Sequence, residues 1–241
     1  MRRDPLASGI PVAVEHDGVL VVRDDLFPGG TKARFMPALF DGCDEAVYAS
    51  PAEGGAQTAL ATVARSLGKR ATIFVAKRAR PHARTLEASR LGAKVVGVEP
   101  GYLSVVKVRA REYCERTGAR LVPFGVDMPE AIATIAAAAR STGVDPDEVW
   151  CAAGSGVLSR ALAKAWPNAR RHAVQVGHAL TKDEVVGATI HVHPLPFGRE
   201  GRVRAPFPSD LHYDVKAWEI CKARRGAGLV LFWNVTGPAR A

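Results

Sequence analysis

Glu148-Val-Trp-Cys-Ala-Ala-Gly154-Ser155-Gly156-Val157-Leu158-Ser-Arg160 is the stretch on which the reading of the fold turns. An apolar, strand-forming run leads into three small residues, and a segment of helical period over Val157–Trp166 comes next, so the sequence reads strand, loop, helix. Such a loop turns backbone N–H groups toward one point at the positive end of a helix dipole, and a phosphate is the ligand that suits it. No Gly-Lys-Ser/Thr succeeds it, which excludes a P-loop, and Ser159 stands where the dinucleotide fingerprint needs a third glycine. A ligand-free tight turn would have the same local sequence.

Outward from this stretch, short β-branched runs alternate with Ala-rich helical segments, the pattern of a mainly parallel sheet covered by helices. Strands are predicted at Val19–Val22, Ala46–Ala49, Ala71–Ala76, Lys94–Val98, Arg120–Phe124, Glu148–Ala152, His172–Val176, Thr189–Val192 and Leu229–Phe232. Ala59, Leu60, Val63, Ala64 and Leu67 form one helical stripe that Gly68 ends. A further helix takes Pro81 in its first turn and stops at Gly92, and others are predicted over Ser104–Thr117 and Pro129–Ser141. Pro194–Pro208, rich in proline and arginine, reads as an irregular crossover loop.

Two more stretches carry chemistry. Ala49-Ser50-Pro51-Ala52-Glu53-Gly54-Gly55-Ala56-Gln57-Thr58 is a second strand–loop–helix junction, and two anion cradles in one α/β chain suit a phosphorylated cofactor together with a carboxylate substrate. In Val22-Arg23-Asp24-Asp25-Leu26-Phe27-Pro28-Gly29-Gly30-Thr31-Lys32, a strand ends in two carboxylates and a Pro-Gly-Gly turn delivers a lysine to the expected start of a helix. The helix dipole opposes a cation there and favours the neutral amine, the form that attacks a carbonyl.

Together these stretches resemble the fold-type II pyridoxal-phosphate enzymes, the tryptophan synthase β and cysteine synthase superfamily. The likeness runs from about residue 15 to 237 and is nearest to the aminocyclopropanecarboxylate deaminase and D-cysteine desulfhydrase branch. It includes Ser209-Asp210-Leu-His-Tyr213-Asp214-Val-Lys216-Ala217 and the closing Gly228-Leu-Val-Leu-Phe-Trp-Asn-Val-Thr236-Gly237, similar to the branch's Asp-Pro-Val-Tyr-Glu-Gly-Lys-Ser segment and its last strand. The resemblance implies a tryptophan synthase β-like α/β fold of mainly parallel sheets. It further implies one enzyme unit over residues 1–241, with two interleaved subdomains and the smaller inserted at about 44–125. Lys32 would carry pyridoxal 5'-phosphate as a Schiff base, Gly154, Ser155, Gly156, Val157 and Leu158 would hold its phosphate, and Asp214 would face its ring nitrogen. Thr236 is the alternative partner of that nitrogen, and Tyr213 falls on the branch's active-site tyrosine. Glu53, Gly54, Gly55, Ala56, Gln57 and Thr58 would face the substrate. Where the branch has Ser-Asn-His in this loop, the chain reads Ala52-Glu53-Gly54.

The implied activity is a lyase, deaminase or β-replacement reaction at Cα or Cβ of an amino acid or similar substrate, in a homodimer. Among 241 residues, 47% are hydrophobic and 24% charged, which argues against disorder. No run approaches the roughly 18 apolar residues of a membrane span, and Met1–Pro5 carries no apolar leader, so a cytoplasmic protein is expected. Four dispersed cysteines without a C-x-x-C pair argue against a zinc knuckle or disulfide framework. The balance of 33 basic against 24 acidic residues, +9, favours an anionic partner. Lys77, Arg78, Arg80, His82 and Arg84 with Arg199, Arg202, Arg204, Arg224 and Arg225 leave open a nucleic-acid patch, and with it an enzyme of this fold acting on a modified nucleotide or DNA base. A catalytically silent phosphate-binding protein is the other alternative. His191 and His193 share one face of a strand at a spacing usable for a metal or for ordinary packing.

Overall fold

Runs such as Glu148-Val-Trp-Cys-Ala-Ala and Val230-Leu-Phe-Trp-Asn, buried along their whole length, are strands covered on both faces, and they belong to the larger of two separate sheets. The computed structural model describes residues 9–99 and 101–240. The described residues divide into two compact units, one holding those of Met1–Thr31 and Met128–Pro238, the other those of Lys32–Asp127 and Ala239–Ala241. The N-terminal stretch Met1–Pro5, expected to carry no leader, lies outside the described residues.

In the larger unit the strands are β1 (Ala13–His16), β2 (Val19–Arg23), β7 (Glu148–Ala153), β8 (Arg170–Gln175), β9 (Thr189–Val192) and β10 (Val230–Asn234), in the order β1-β2-β10-β7-β8-β9. Only β1, joined to β2 through Asp17-Gly18, is antiparallel. The last strand of the chain is thus inserted between the first parallel strand and β7, a topological switch point at which ligands of α/β sheets gather beyond the carboxyl ends. The helices of this unit are α4 (Pro129–Ser141), α5 (Val157–Ala165), α6 (Lys182–Val185) and α7 (Asp214–Arg224). Trp150, Phe207, Trp218 and Phe232 dominate its core, with Trp218 set edge-on to Phe232 at 5.3 Å.

The smaller unit is an all-parallel sheet in the order β5-β4-β3-β6, made of β3 (Glu45–Ala49), β4 (Arg70–Ala76), β5 (Lys94–Val98) and β6 (Arg120–Leu121). Its helices are α1 (Ala56–Ser66), α2 (Ala83–Arg90) and α3 (Leu103–Thr117).

Several boundaries differ from the sequence reading. β6 stops at Leu121 rather than Phe124, because Pro123 lacks a ladder N–H and a 3-10 turn occupies Phe124–Val126. Pro81 lies before α2 rather than in its first turn, since His82 is the N-cap and its Nδ1 accepts the Arg84 N–H at 3.2 Å. Lys32 does not open an α-helix but lies in a single 3-10 turn, Thr31–Arg34, too short for the dipole argument to hold. β1, α6 and α7 are additions to the elements predicted from sequence. The segment from Pro194 to Pro208 contains neither strand nor helix.

Candidate active site

Because β2, β10 and β7 are parallel neighbours, the loops that leave their carboxyl ends emerge along one edge of the larger unit's sheet. β2 leads into the Asp24-Asp25 turn before Lys32, β10 into Val235-Thr236, and β7 into the Gly154-Ser155-Gly156 loop.

The turn after β2 is fixed from β10. Thr31 Oγ1 donates to the buried Asp24 Oδ2 at 2.7 Å and accepts from Trp233 Nε1 at 2.9 Å. The Thr31 N–H donates to Val235 O at 3.0 Å. Arg23 grips both oxygens of Asp25 at 2.8 Å, and Asn234 Nδ2 donates to Asp25 Oδ1 at 2.8 Å. Gly30, at φ +69°, lies so close to β10 that a Cβ there would stand 2.9 Å from Thr236 Cβ and closer still to Val235 O. Only glycine allows this approach. Lys32, half-buried, is the next residue after Thr31.

Asp214 is buried at the start of α7, and its Oδ2 accepts the Val235 and Thr236 N–H groups at 3.1 and 3.3 Å. Asp214 and Thr236, alternatives for one role in the sequence, are therefore neighbours. Burial, aided by the Asp214 charge, pushes the Cys151 thiol on β7 up to about 12, which leaves it inert. Tyr213 reaches toward the small-residue loop: a Cβ on Gly154 would meet its ring at 3.4 Å.

The loop itself ends in Gly156, the N-cap of α5, at φ +74° and with no side-chain cap. A Cβ there would stand 2.8 Å from the backbone carbon of Glu184 and closer still to its carbonyl oxygen. Val157, Ala161, Leu162 and Ala165 bury one face of α5, which fixes the helix axis behind the loop. An uncapped helix N-terminus behind a loop of small residues is chemically fitted to a phosphate, so the residues present suit the phosphate end of pyridoxal phosphate. The buried Asp214 carboxylate suits a cationic ring nitrogen.

Sequence reasoning missed the residues that hold Tyr213. Asp210 Oδ1 accepts the His212 and Tyr213 N–H groups at 2.8 and 3.0 Å, an Asp-centred turn ahead of α7 whose signal, an Asp after Pro208-Ser209, was present in the sequence. Phe197, from the irregular segment, meets Tyr213 edge-to-face at 5.1 Å. Lys216 is fully buried and donates to Pro196 O at 2.9 Å, tying that segment to α7; burial holds its pKa below the usual lysine value, with Asp210 opposing.

The second cradle, between β3 and α1 of the smaller unit, is closed on itself. Ser50 Oγ donates to Pro51 O at 2.8 Å, Gln57 Nε2 to Ala52 O at 2.7 Å, and Thr58 Oγ1 to Gly55 O at 3.0 Å. The Gly54 N–H donates to Pro51 O at 3.0 Å. Ala56 is buried and begins α1, with Gly55 as its N-cap. Glu53 is nearly buried and pairs with Arg78 at 3.1 Å.

The basic groups suspected of forming a patch have internal partners in several cases. Lys77 pairs with Glu99, Arg84 is buried beside Glu87, and Arg225 donates to Asp17 O and Gly18 O. His191 and His193 diverge. His191 Nε2 lies 2.9 Å from His172 Nδ1, and both rings stack on Trp150, while His193 faces Glu219 at 3.4 Å. Among the described residues no group of three or more His, Cys, Asp or Glu is arranged to hold a metal, and no helix is long and apolar enough to cross a membrane.

Residues 7–201 match the family of pyridoxal-phosphate dependent enzymes, and the chain belongs to that family. Its fold is that of the fold-type II members. An aminocyclopropanecarboxylate deaminase homologue superposes with a TM-score of 0.78 at 17% identity, covering 91% of this chain and 84% of that one. The processed form of threonine deaminase isoform 2 from Solanum lycopersicum gives 0.68 at 16%, covering 100% and 86%, and maize serine racemase 0.70 at 13%, covering 96% and 88%. No curated protein sequence matches the chain. The chain is therefore an enzyme whose cofactor is pyridoxal phosphate.

Proposed function

We propose that Lys32 carries the cofactor and that the enzyme removes a proton from the amine-bearing carbon of a small amino-acid-like substrate, as the opening step of elimination, replacement or deamination. The observation that carries this reading is the convergence, at the carboxyl ends of β2, β10 and β7, of the turn before Lys32, the Asp214–Thr236 contact and the Gly154–Leu158 loop. When bound, the cofactor supplies an electron sink conjugated to the reacting carbon. The chain supplies the rest. The N–H groups of Gly154–Leu158 would hold the phosphate. Asp214, oriented by two backbone N–H donors, would keep a proton on the ring nitrogen, because an adjacent negative charge raises the pKa of a cationic acid. Lys32 Nζ would take the substrate proton and return it, and Tyr213, fixed by Asp210 and Phe197, would orient the reacting group. All four cysteines are free, in keeping with a reducing, cytoplasmic setting, and assembly as a homodimer belongs to the same proposal.

Borohydride reduction of the cofactor-loaded protein and subsequent peptide mapping are expected to leave a pyridoxyl group on Lys32. A label only on Lys77, Lys164 or another lysine overturns the assignment. A protein that takes up no cofactor at all supports a silent phosphate binder instead.

A further inference from the structure

Sixteen of the chain's 33 basic residues but only nine of its 24 acidic ones fall within Lys32–Asp127, so the smaller unit holds +7 of the +9 balance. Part of that surplus follows a repeat. The three turns that lead from a helix into the next strand of this unit read Arg65-Ser-Leu-Gly68-Lys69-Arg70, Arg90-Leu-Gly92-Ala-Lys94 and Arg116-Thr-Gly118-Ala-Arg120. Each sets an arginine in the last helical turn, a glycine after it, and a basic residue at the first position of β4, β5 or β6. The arginine complements the negative end of the helix dipole, but a cation opening the following strand lies beyond the reach of that effect.

Parallel strands all begin at one edge of a sheet, so the three turns lie side by side in the spatial order β5-β4-β3-β6, a row of about 14 Å at about 4.8 Å per strand. A Cβ on Gly68, Gly92 or Gly118 would meet nothing within 4 Å, so the turns face open space. Arg65, Arg70, Arg90, Lys94 and Arg116 are exposed. The acids that open β3 are engaged: Asp44 pairs with Lys69, and Glu45, largely buried, accepts from Thr72 and Tyr113 at 2.6 and 2.9 Å and from Arg70 at 3.4 Å. Arg90 donates to Arg240 O, and Arg120 to Asp41 O. Among the described residues no carboxylate forms an ion pair with Arg65, Lys94 or Arg116.

A row of cations, most of them arginines with forked donors, fits evenly spaced phosphates. The aromatic ring beside them, Tyr113, is taken up by Phe74 at 5.6 Å and by Lys94 and Arg116 at 5.2 and 5.8 Å, which leaves no stacking platform for unpaired bases. Leu67 is the one large apolar side chain exposed on these turns among the described residues, too little to enter a bilayer. We propose that the strand-opening edge of the smaller unit is a docking surface for double-stranded nucleic acid, held by its phosphate backbone without reading of the bases.

Fluorescence anisotropy of a labelled DNA duplex of about 20 base pairs, titrated with the cofactor-loaded full-length protein at about 25 to 200 mM NaCl, tests this. Three or four phosphate contacts predict a slope of log K against log salt of about −3 to −4. Arg70→Ala, Lys94→Ala and Arg116→Ala combined, one residue from each turn, should weaken binding at least about tenfold and flatten the slope by about 2–3. Lys77→Ala, Arg109→Ala and Arg111→Ala combined remove the same charge from the same unit away from the strand openings, and should cost less than about threefold. Lys94→Ala alone, at a side chain without an ion pair, should flatten the slope by about one with the melting temperature unchanged, which keeps the test valid if the triple variant unfolds. Equal losses from the two triple variants, or binding insensitive to salt, overturn the proposal. So do tighter binding of a single strand of the same length, binding of phosphatidylserine vesicles without binding of the duplex, and no binding at all.

Discussion

Gly156 and Gly154 sit two residues apart in the same loop, yet a methyl group should do different things at each. At Gly156 the backbone is left-handed, φ +74°, which costs any L side chain about 1–2 kcal/mol. A Cβ there also runs into the Glu184 backbone. That backbone cannot retreat easily, because Thr181 and Glu184 form a capping box on α6 and Val185 O accepts from Ser159 Oγ at 3.2 Å. Forcing α6 outward should cost a further 1–3 kcal/mol or so, the usual range for overpacking. Gly156→Ala is therefore expected to lose roughly 2–5 kcal/mol before any cofactor is considered, a large share of the 5–15 kcal/mol typical of a whole domain. A loss near 3 kcal/mol should lower the melting temperature by about 6–12 °C at this chain length. At Gly154 no positive φ is required, and the methyl would meet Tyr213 at 3.4 Å and Val176 O at 3.7 Å, ordinary contacts. Gly154→Ala should change stability by about 1 kcal/mol or less while narrowing the approach to the loop's N–H groups. Urea unfolding of both variants without cofactor, and then titration with pyridoxal phosphate, separates the effects. A Gly156→Ala protein as stable as wild type would refute the steric reasoning. A Gly154→Ala protein with unchanged cofactor affinity would count against the phosphate at this loop.

Asp214→Asn should keep the protein folded and cofactor-loaded, since the amide oxygen can still accept the Val235 and Thr236 N–H groups, while turnover should fall because the charge proposed to face the ring nitrogen is gone; full turnover in that variant would shift the role to Thr236. The histidine pair makes stability pH-dependent. Burial holds His172 and His191 below their ordinary value of 6.5, with the His172 and Arg224 charges adding at His191, Arg170 adding at His172, and Glu148 opposing at both. The unfolded chain then binds more protons than the folded one, so stability is present above about pH 6.5 and declines as pH falls from there toward the lowered folded values. Urea midpoints at pH 7.5 and 5.5 should differ in wild type and move closer in His191→Gln, where His172 alone remains; an unchanged difference removes the pair as the cause.

Much of this molecule was legible in sequence where local physics decides. Lys94–Val98, Thr189–Val192 and Pro129–Ser141 form as read, because β-branched runs, a terminal proline and flanking glycines set their limits. β1 was not legible, since Ala13-Val-Glu-His is an edge strand paired on one side only. α7 was hidden because it carries no apolar stripe: Asp214 and Lys216 are buried on it with Ala217 and Trp218. Motifs supplied candidate site residues, but the order β2-β10-β7, which brings the turn before Lys32 and the Gly154–Leu158 loop to one edge, depends on contacts between residues some 200 positions apart. Nothing in a short window records such pairing.

The two aspartates before Lys32 show how residue type and role can separate. Read as sequence, Asp24-Asp25 ahead of a lysine looks like part of the chemistry. In the fold their carboxylates accept from Thr31, Arg23 and Asn234, and they determine where residue 31, and so the lysine after it, leaves β2. Asp214 repeats the device on the backbone of Val235 and Thr236. Three carboxylates thus belong to the β2 and β10 side of the sheet edge, while the β7 side offers the positive end of α5 and no acid in the Gly154–Arg160 run. Adjacent strands lie about 4.8 Å apart, so this reversal of polarity spans roughly 10 Å from β2 to β7. The proposed cofactor placement would use that polarity, with a cationic ring against Asp214 and a phosphate before α5.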